Sequence, residues 1–112
     1  MKEEIRRAVV FAALSKINNQ PPSSIYSYAQ AHHTSMSGSS SGFYDFEAGA
    51  HVSMSGSSLY HFGLGHHVSL NIDGNQFSGY DFGSGSHFQG SLNGRAVQLY
   101  DFQESTFFNY QG

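Results

Sequence analysis

The sequence predicts a mainly β fold, one N-terminal α-helix followed by a ten-stranded antiparallel meander, and two observations carry that expectation. The first is internal repetition. Ile25-Tyr26-Ser27-Tyr28, Phe43-Tyr44-Asp45-Phe46, Leu59-Tyr60-His61-Phe62, Gly79-Tyr80-Asp81-Phe82 and Leu99-Tyr100-Asp101-Phe102 are copies of one segment. Seven residues after each tyrosine stands His33, His51, His67, His87 and, in the last copy, Phe107. The second is composition: 13 Gly and many Ser alternate with 7 Tyr and 10 Phe, while charged residues are only 12%, about half the usual share. Disorder requires few aromatics and high net charge; this pattern reads as strands and turns. The expected organisation is a single domain over 1–112: helix 1–19, linker 20–24, and five β-hairpin repeats over 25–112.

The helix comes first. Ala8 to Leu14 sit in a helix-favouring context that Pro21 and Pro22 terminate. At about 100° per residue, Ile5, Ala8, Val9 and Ala12 share one face, and Val10, Leu14 and Ile17 lie nearly opposite. A surface helix carries one apolar stripe, so two stripes predict cover on two sides; the competing reading is that alanines pad a single broad face. The apolar run is too short to span a bilayer. Glu3 and Glu4 before it, and Asn18-Asn19-Gln20-Pro21-Pro22 after it, do not suit a signal peptide. The expectation is a cytoplasmic chain with no membrane partner.

The tyrosines recur at spacings of 18, 16, 20 and 20, whereas the Tyr-to-His spacing inside a unit is constant. The fixed part reads as a hairpin with a three-residue loop, Glu47-Ala48-Gly49, Gly63-Leu64-Gly65 or Gly83-Ser84-Gly85. That loop pairs Asp45 with His51 and Tyr44 with Val52. If Ser55-Gly56-Ser57, Asp73-Gly74-Asn75 and Asn93-Gly94-Arg95 also act as three-residue loops, one register runs through all ten strands. Imidazole and carboxylate (Asp45, His51, His61, His67, Asp81, His87, Asp101) then share one face. The other face carries Tyr44, Phe46, Tyr60, Phe62, Tyr80, Phe82, Tyr100, Phe102 and Phe108. Asp-Gly and Asn-Gly prefer two-residue turns, however, and a one-residue change of register flips the faces.

A level register leaves no stagger, and a barrel needs stagger to close, so the expectation is an open sheet. Ten strands at about 4.8 Å spacing span roughly 48 Å, more than one short helix covers. The aromatic face, together with Val10, Leu14 and Ile17 of the helix, is therefore expected to form an interface with a second copy, giving a homo-oligomer. A β-solenoid and a closed meander barrel are the alternative architectures.

Charge divides along the chain. Lys2, Arg6, Arg7 and Lys16 open it, but from Ile25 onward only Arg95 faces Asp45, Glu47, Asp73, Asp81, Asp101 and Glu104. Such a surface repels phosphate, so nucleic acid is not an expected partner. Cysteine chemistry is excluded because there is no Cys. His51, His61 and His67 on adjacent strands, completed by Asp45 or Asp81, have the donor types for a zinc or copper site. Set against this, Asp45–His51 and Asp81–His87 are simple cross-strand pairs, and their repetition over the sheet favours that reading; no cofactor is expected. Gly38-Ser39-Ser40-Ser41-Gly42 matches a nucleophile-elbow pattern but lies between strands, not at a strand-to-helix turn. The expected function is a non-catalytic binding or structural module that self-associates. A His/Asp metal or small-ligand binder and an enzyme with an Asp-His site are the alternatives.

Overall fold

A computed structural model describes residues 1–112 of the chain. Helix α1 (Glu3–Ile17) is followed by β1 (Ser24–Ser27), β2 (His32–Ser39), β3 (Gly42–Asp45), β4 (Ala50–Ser55) and β5 (Ser58–His61). β6 (His66–Asp73), β7 (Gln76–Asp81), β8 (Ser86–Asn93), β9 (Ala96–Asp101) and β10 (Thr106–Gln111) complete it. Each strand pairs antiparallel with the next, as the repeat predicts. The sheet then closes, with β10 pairing β1 through Tyr26–Gln111 and Ser27–Tyr110. The ten-stranded meander therefore stands, and its closed-barrel form replaces the open sheet.

Loop length is the physical reason for closure. Each hairpin loop holds four residues, not three: Asp45 pairs with Ala50, His61 with His66, Asp81 with Ser86. The connections between hairpins hold two. Gly56-Ser57, Gly74-Asn75 and Gly94-Arg95 each begin with a glycine at positive φ, the requirement of a type II′ hairpin turn. The hairpins are consequently offset from one another. Asp45, at the loop end of β3, faces Met36 and not His32 at the loop end of β2; likewise His61 faces Val52, Asp81 faces Val68 and Asp101 faces Phe88. Every offset has the same sense, and their accumulation supplies the stagger that lets a tilted sheet meet its own first strand.

The repeated segment encodes the four-residue loop. Its first polar side chain, just before the loop, accepts backbone N–H groups that the loop leaves unpaired. Asp45 Oδ1 accepts from Glu47 (2.9 Å) and Ala48 (3.0 Å), Asp81 Oδ1 from Gly83 (3.0 Å) and Asp101 Oδ1 from Gln103 (2.9 Å). Ser27 Oγ and His61 Nδ1 hold the same post, accepting from Gln30 and Leu64. The last loop residue is left-handed in all five hairpins: Gly49, Gly65 and Gly85, but also Ala31 (φ 56°) and Ser105 (φ 55°).

The bore of the barrel holds α1. Every residue from Ile5 to Ser15 is buried, so the two apolar stripes read from the sequence both meet wall. Ile25, Phe43, Val52, Leu59, Val68, Leu70, Phe88 and Leu99 close around the helix in one core. Polar contacts fix its height. At the loop end Arg7 donates to Asp45 Oδ2 from Nε (3.0 Å) and Nη2 (2.8 Å), and both side chains are buried. Arg6 Nη1 and the terminal amine reach Asp101 Oδ2 at 3.0 and 3.1 Å, while the buried Tyr110 hydroxyl donates to Glu3 Oε2 (2.9 Å). At the opposite end Lys16 and Asn18 donate to the carbonyls of Gly56 and Gly94. Two cross-strand Phe–Gly pairs, Phe88 on Gly79 and Phe77 on Gly90, make room for large rings; a methyl group at Gly79 would meet the Ser69 carbonyl and the Phe88 ring.

Two stability outcomes follow. A side chain in the left-handed region costs about 1–2 kcal/mol, partly offset by the greater chain entropy of glycine. Ala31→Gly and Ser105→Gly should each raise the urea midpoint, by roughly 0.5–1 kcal/mol in stability, and Gly49→Ala should lower it by a similar amount. Arg7→Met leaves the buried Asp45 carboxylate without its cation, an arrangement that costs about 3–5 kcal/mol. Equilibrium urea unfolding followed by circular dichroism measures both.

Candidate functional site

Closing the barrel with four-residue loops sends the aromatic segment outward. Asp45, His61, Asp81 and Asp101 are buried on the inner side, so by strand alternation the tyrosine before each faces solvent. Tyr44 pairs with His51, Tyr60 with His67 and Tyr80 with His87. Each tyrosine ring lies between its loop phenylalanine and this cross-strand partner. Ring centroids are 4.9 Å apart for Tyr44–Phe46 and 4.7 Å for Tyr44–His51, with interplanar angles of 71° and 70°. Tyr60 repeats this with Phe62 and His67, Tyr80 with Phe82 and His87, and Tyr100 with Phe102 and Phe107. Tyr26, between Tyr28 and His33, is the fifth. These are favourable edge-to-face or tilted contacts. All five hairpin loops lie at one end of the barrel, so the triads form a collar around that rim. The four loop phenylalanines are 49% (Phe102) to 64% (Phe82) exposed.

Tyr44, Phe46, Tyr60, Phe62, Tyr80, Phe82, Tyr100 and Phe102 do share one face, the outer one. His51, His67 and His87, expected on the opposite face, join them there, because the fourth loop residue shifts each return strand by one, whereas His61 stays on the inner side. Phe108 turns inward beneath the Arg6 guanidinium, 3.8 Å from its ring centroid. Val10 and Leu14 are sealed in the bore and Ile17 is partly buried against the core. These helix residues pack on their own barrel rather than on a second copy.

The metal set expected from the sequence is divided by the barrel wall. Asp45 and His61 are inside, His51 and His67 outside, and no group of three His, Asp or Glu residues converges as a metal site. The structure thus corrects that grouping, for the same reason of register. Ser40 lies in the two-residue connection between β2 and β3, without the strand-to-helix geometry of a nucleophile elbow. Helix α1 is not long and apolar enough to cross a membrane.

At the inner mouth two repeats depart from Asp, the first with Ser27 and the third with His61. His61 stands where three sister repeats carry Asp, and its Nδ1 accepts the Leu64 N–H at 3.2 Å. Nδ1 must therefore be unprotonated, placing the single proton on Nε2. Both Nε2 of His61 and Nδ1 of the paired His66 are buried without a protein partner; Asp81 Oδ1 is 4.0 Å from the latter. Burial pulls the His61 imidazole below its ordinary value. Asp45 and Glu4 oppose this, while Arg7 and His66 add to it. In the unfolded chain His61 titrates near pH 6.5, so the unfolded state takes up a proton before the folded state does. The stability held above that pH is lost as pH falls below about 6.5 and through the lower folded value. His61→Asp, which restores the carboxylate cap of the sister loops, should flatten this acid-side loss. Urea midpoints measured from pH 7.5 to 5 for both chains check it.

Two loop lengths, four residues within each hairpin and two between hairpins, separate the observed register from the expected one. The signal in the residues is a glycine that opens the two-residue connections Gly56-Ser57, Gly74-Asn75 and Gly94-Arg95, the type II′ pattern. Comparison of the chain with protein-family models, curated proteins and solved structures finds no match to any of them.

Proposed function

We propose that the protein is a non-catalytic binding module whose working surface is the outer aromatic collar. One observation carries the reading: the same Phe–Tyr–His arrangement is built repeatedly around the rim, with its phenyl rings facing solvent although each could have been polar at no cost to the core. The bore supports the reading from the other side, since α1 fills the space that would hold a ligand in a hollow barrel. Five near-equivalent triads also suit surface recognition better than a reaction, which needs one distinguished site.

A second form of the same reading is self-association through the collar. The half-exposed phenyl rings favour it, because clustered exposed apolar groups on a small protein mark contact surfaces.

The triple variant Phe46→Ser, Phe62→Ser, Phe82→Ser tests both forms. If the rings serve an external contact, the variant folds and loses only the edge-to-face terms, about 0.5–1.5 kcal/mol for each ring. A far larger loss would make the rings structural and remove the reading. In sedimentation velocity at micromolar concentration, self-association predicts oligomers for the parent chain and a monomer for the variant. A monomeric parent would reject self-association and leave an external ligand.

A further inference from the structure

The collar contains two grooves that are equivalent by repeat. The first, about 570 Å³, lies on the outer wall between Tyr44 and His51 of one hairpin and the projecting Phe62 of the next, with Ser37, Gly42 and Ser53 at its floor and edges. The second, about 530 Å³, is built the same way from Tyr80, His87 and Phe102, with Ser69, Ser78 and Gln89. The correspondence is position by position. Ser37 pairs with Tyr44 as Ser69 pairs with Tyr80, and Gly42 precedes Tyr44 by two residues as Ser78 precedes Tyr80. Both volumes lie in the range of small-ligand sites, about 300–1,000 Å³.

The lining specifies the ligand's chemistry. Neither groove is lined by any charged residue. The β region as a whole is acidic, with Arg95 its one cation, and Arg95 sits in a connection at the far end of the barrel. Anionic ligands, phosphates and uronic acids included, have nothing here to pair with. What both grooves offer is aromatic rings on opposing walls with hydroxyl and imidazole groups between them, to which the second adds the amides of Asn71 and Gln89. From the second groove a polar track continues. Asn71, Ser78 and Gln89 are shared with an adjoining groove of about 400 Å³, whose lining adds Gln76, Ser91 and Gln98, with Asp73 at its edge. A ring face for C–H groups beside amides and hydroxyls for O–H groups fits a neutral, polyhydroxylated molecule. Repetition of the groove around one rim fits a ligand that is itself repetitive, because linked sites gain by effective concentration.

We propose that these grooves bind a neutral polysaccharide, one sugar segment to each Tyr–His–Phe groove. The proposal rests on the collar being the working surface and names what it takes.

The test titrates the full-length ¹⁵N-labelled chain with a fixed panel: malto-, cello-, manno-, galacto- and chito-oligosaccharides, an acidic oligogalacturonate, and a proline-rich peptide. Binding of at least one neutral sugar is expected, with saturable amide shifts at Gly42 and Ser53 in one groove and at Ser78 and Gln89 in the other. Phe62→Ser should weaken the first set about tenfold and spare the second; Phe102→Ser should do the reverse. Arg95→Gln, at the far end of the barrel and outside both grooves, should change neither. No shift with any neutral sugar overturns the proposal, as does equal or tighter binding of the acidic oligosaccharide or the peptide. Shifts at these amides produced by raising protein concentration alone, with no sugar response, would assign the grooves to a second copy. In that case the triple collar variant still abolishes the oligomer, so the saccharide proposal falls while the collar reading stands.

Discussion

The structure hangs on two buried carboxylates that each do two jobs. Asp45 uses Oδ1 to accept the Glu47 and Ala48 amides of its own hairpin loop and Oδ2 to accept both Nε and Nη2 of Arg7 on the helix. Asp101 divides itself the same way, Oδ1 to the Gln103 and Glu104 amides and Oδ2 to Arg6 and the terminal amine. A carboxylate held by this many donors has its desolvation offset. It also ties the loop conformation to the position of the helix. If a loop were to lose its four-residue form, the helix would lose an anchor.

That coupling explains why an otherwise simple repeat yields a closed object. Hairpin repeats stacked edge to edge could extend indefinitely, leaving unpaired strand edges that invite aggregation. Here the stagger bends the sheet round until β10 meets β1, and the bore left by ten strands is wide enough for a helix. From Ala8 to Leu14 the helix is apolar on all sides because it is enclosed on all sides. Among the five loop-starting residues only Asp45 and Asp101 reach helix cations, whereas Asp81 Oδ2 accepts from Ser84 Oγ instead. The hairpins are equal as backbone but not as anchors. His61 marks the hairpin where the cap is kept and the second oxygen is missing.

The same alternation that buries the carboxylates exposes the rings. Moving along a strand by one residue crosses the wall, so an inward Asp obliges an outward Tyr and an outward partner His. The collar is thus the external face of the loop-capping device, and its repetition follows from repetition of the cap. What is not obliged is the phenylalanine that opens four of the five loops. It packs edge-on to its tyrosine, yet leaves half or more of its surface in water. Core packing does not account for that choice; the recognition proposed for the rim does.

The helix, its end before Pro21, the five hairpins and the antiparallel meander follow from local chemistry: helix-favouring residues, a Tyr-to-His repeat and Gly-containing turns. So does the gathering of Tyr44, Phe46, Tyr60 and Phe62 on one face, since residues two apart in a strand point the same way. The sequence alone did not determine which face that is, because one loop residue more or less inverts it. Three-residue loops put His51 opposite Asp45; the real four-residue loops put it opposite Tyr44 and split His51 and His67 from His61 and Asp45. Closure has the same origin: an offset of a few residues per hairpin is invisible in any single repeat and is decisive once five of them accumulate. Periodicity fixes what lies beside what along a strand. Register across strands, and with it the inside and outside of the barrel, is set by tertiary contacts such as the one between Arg7 and Asp45.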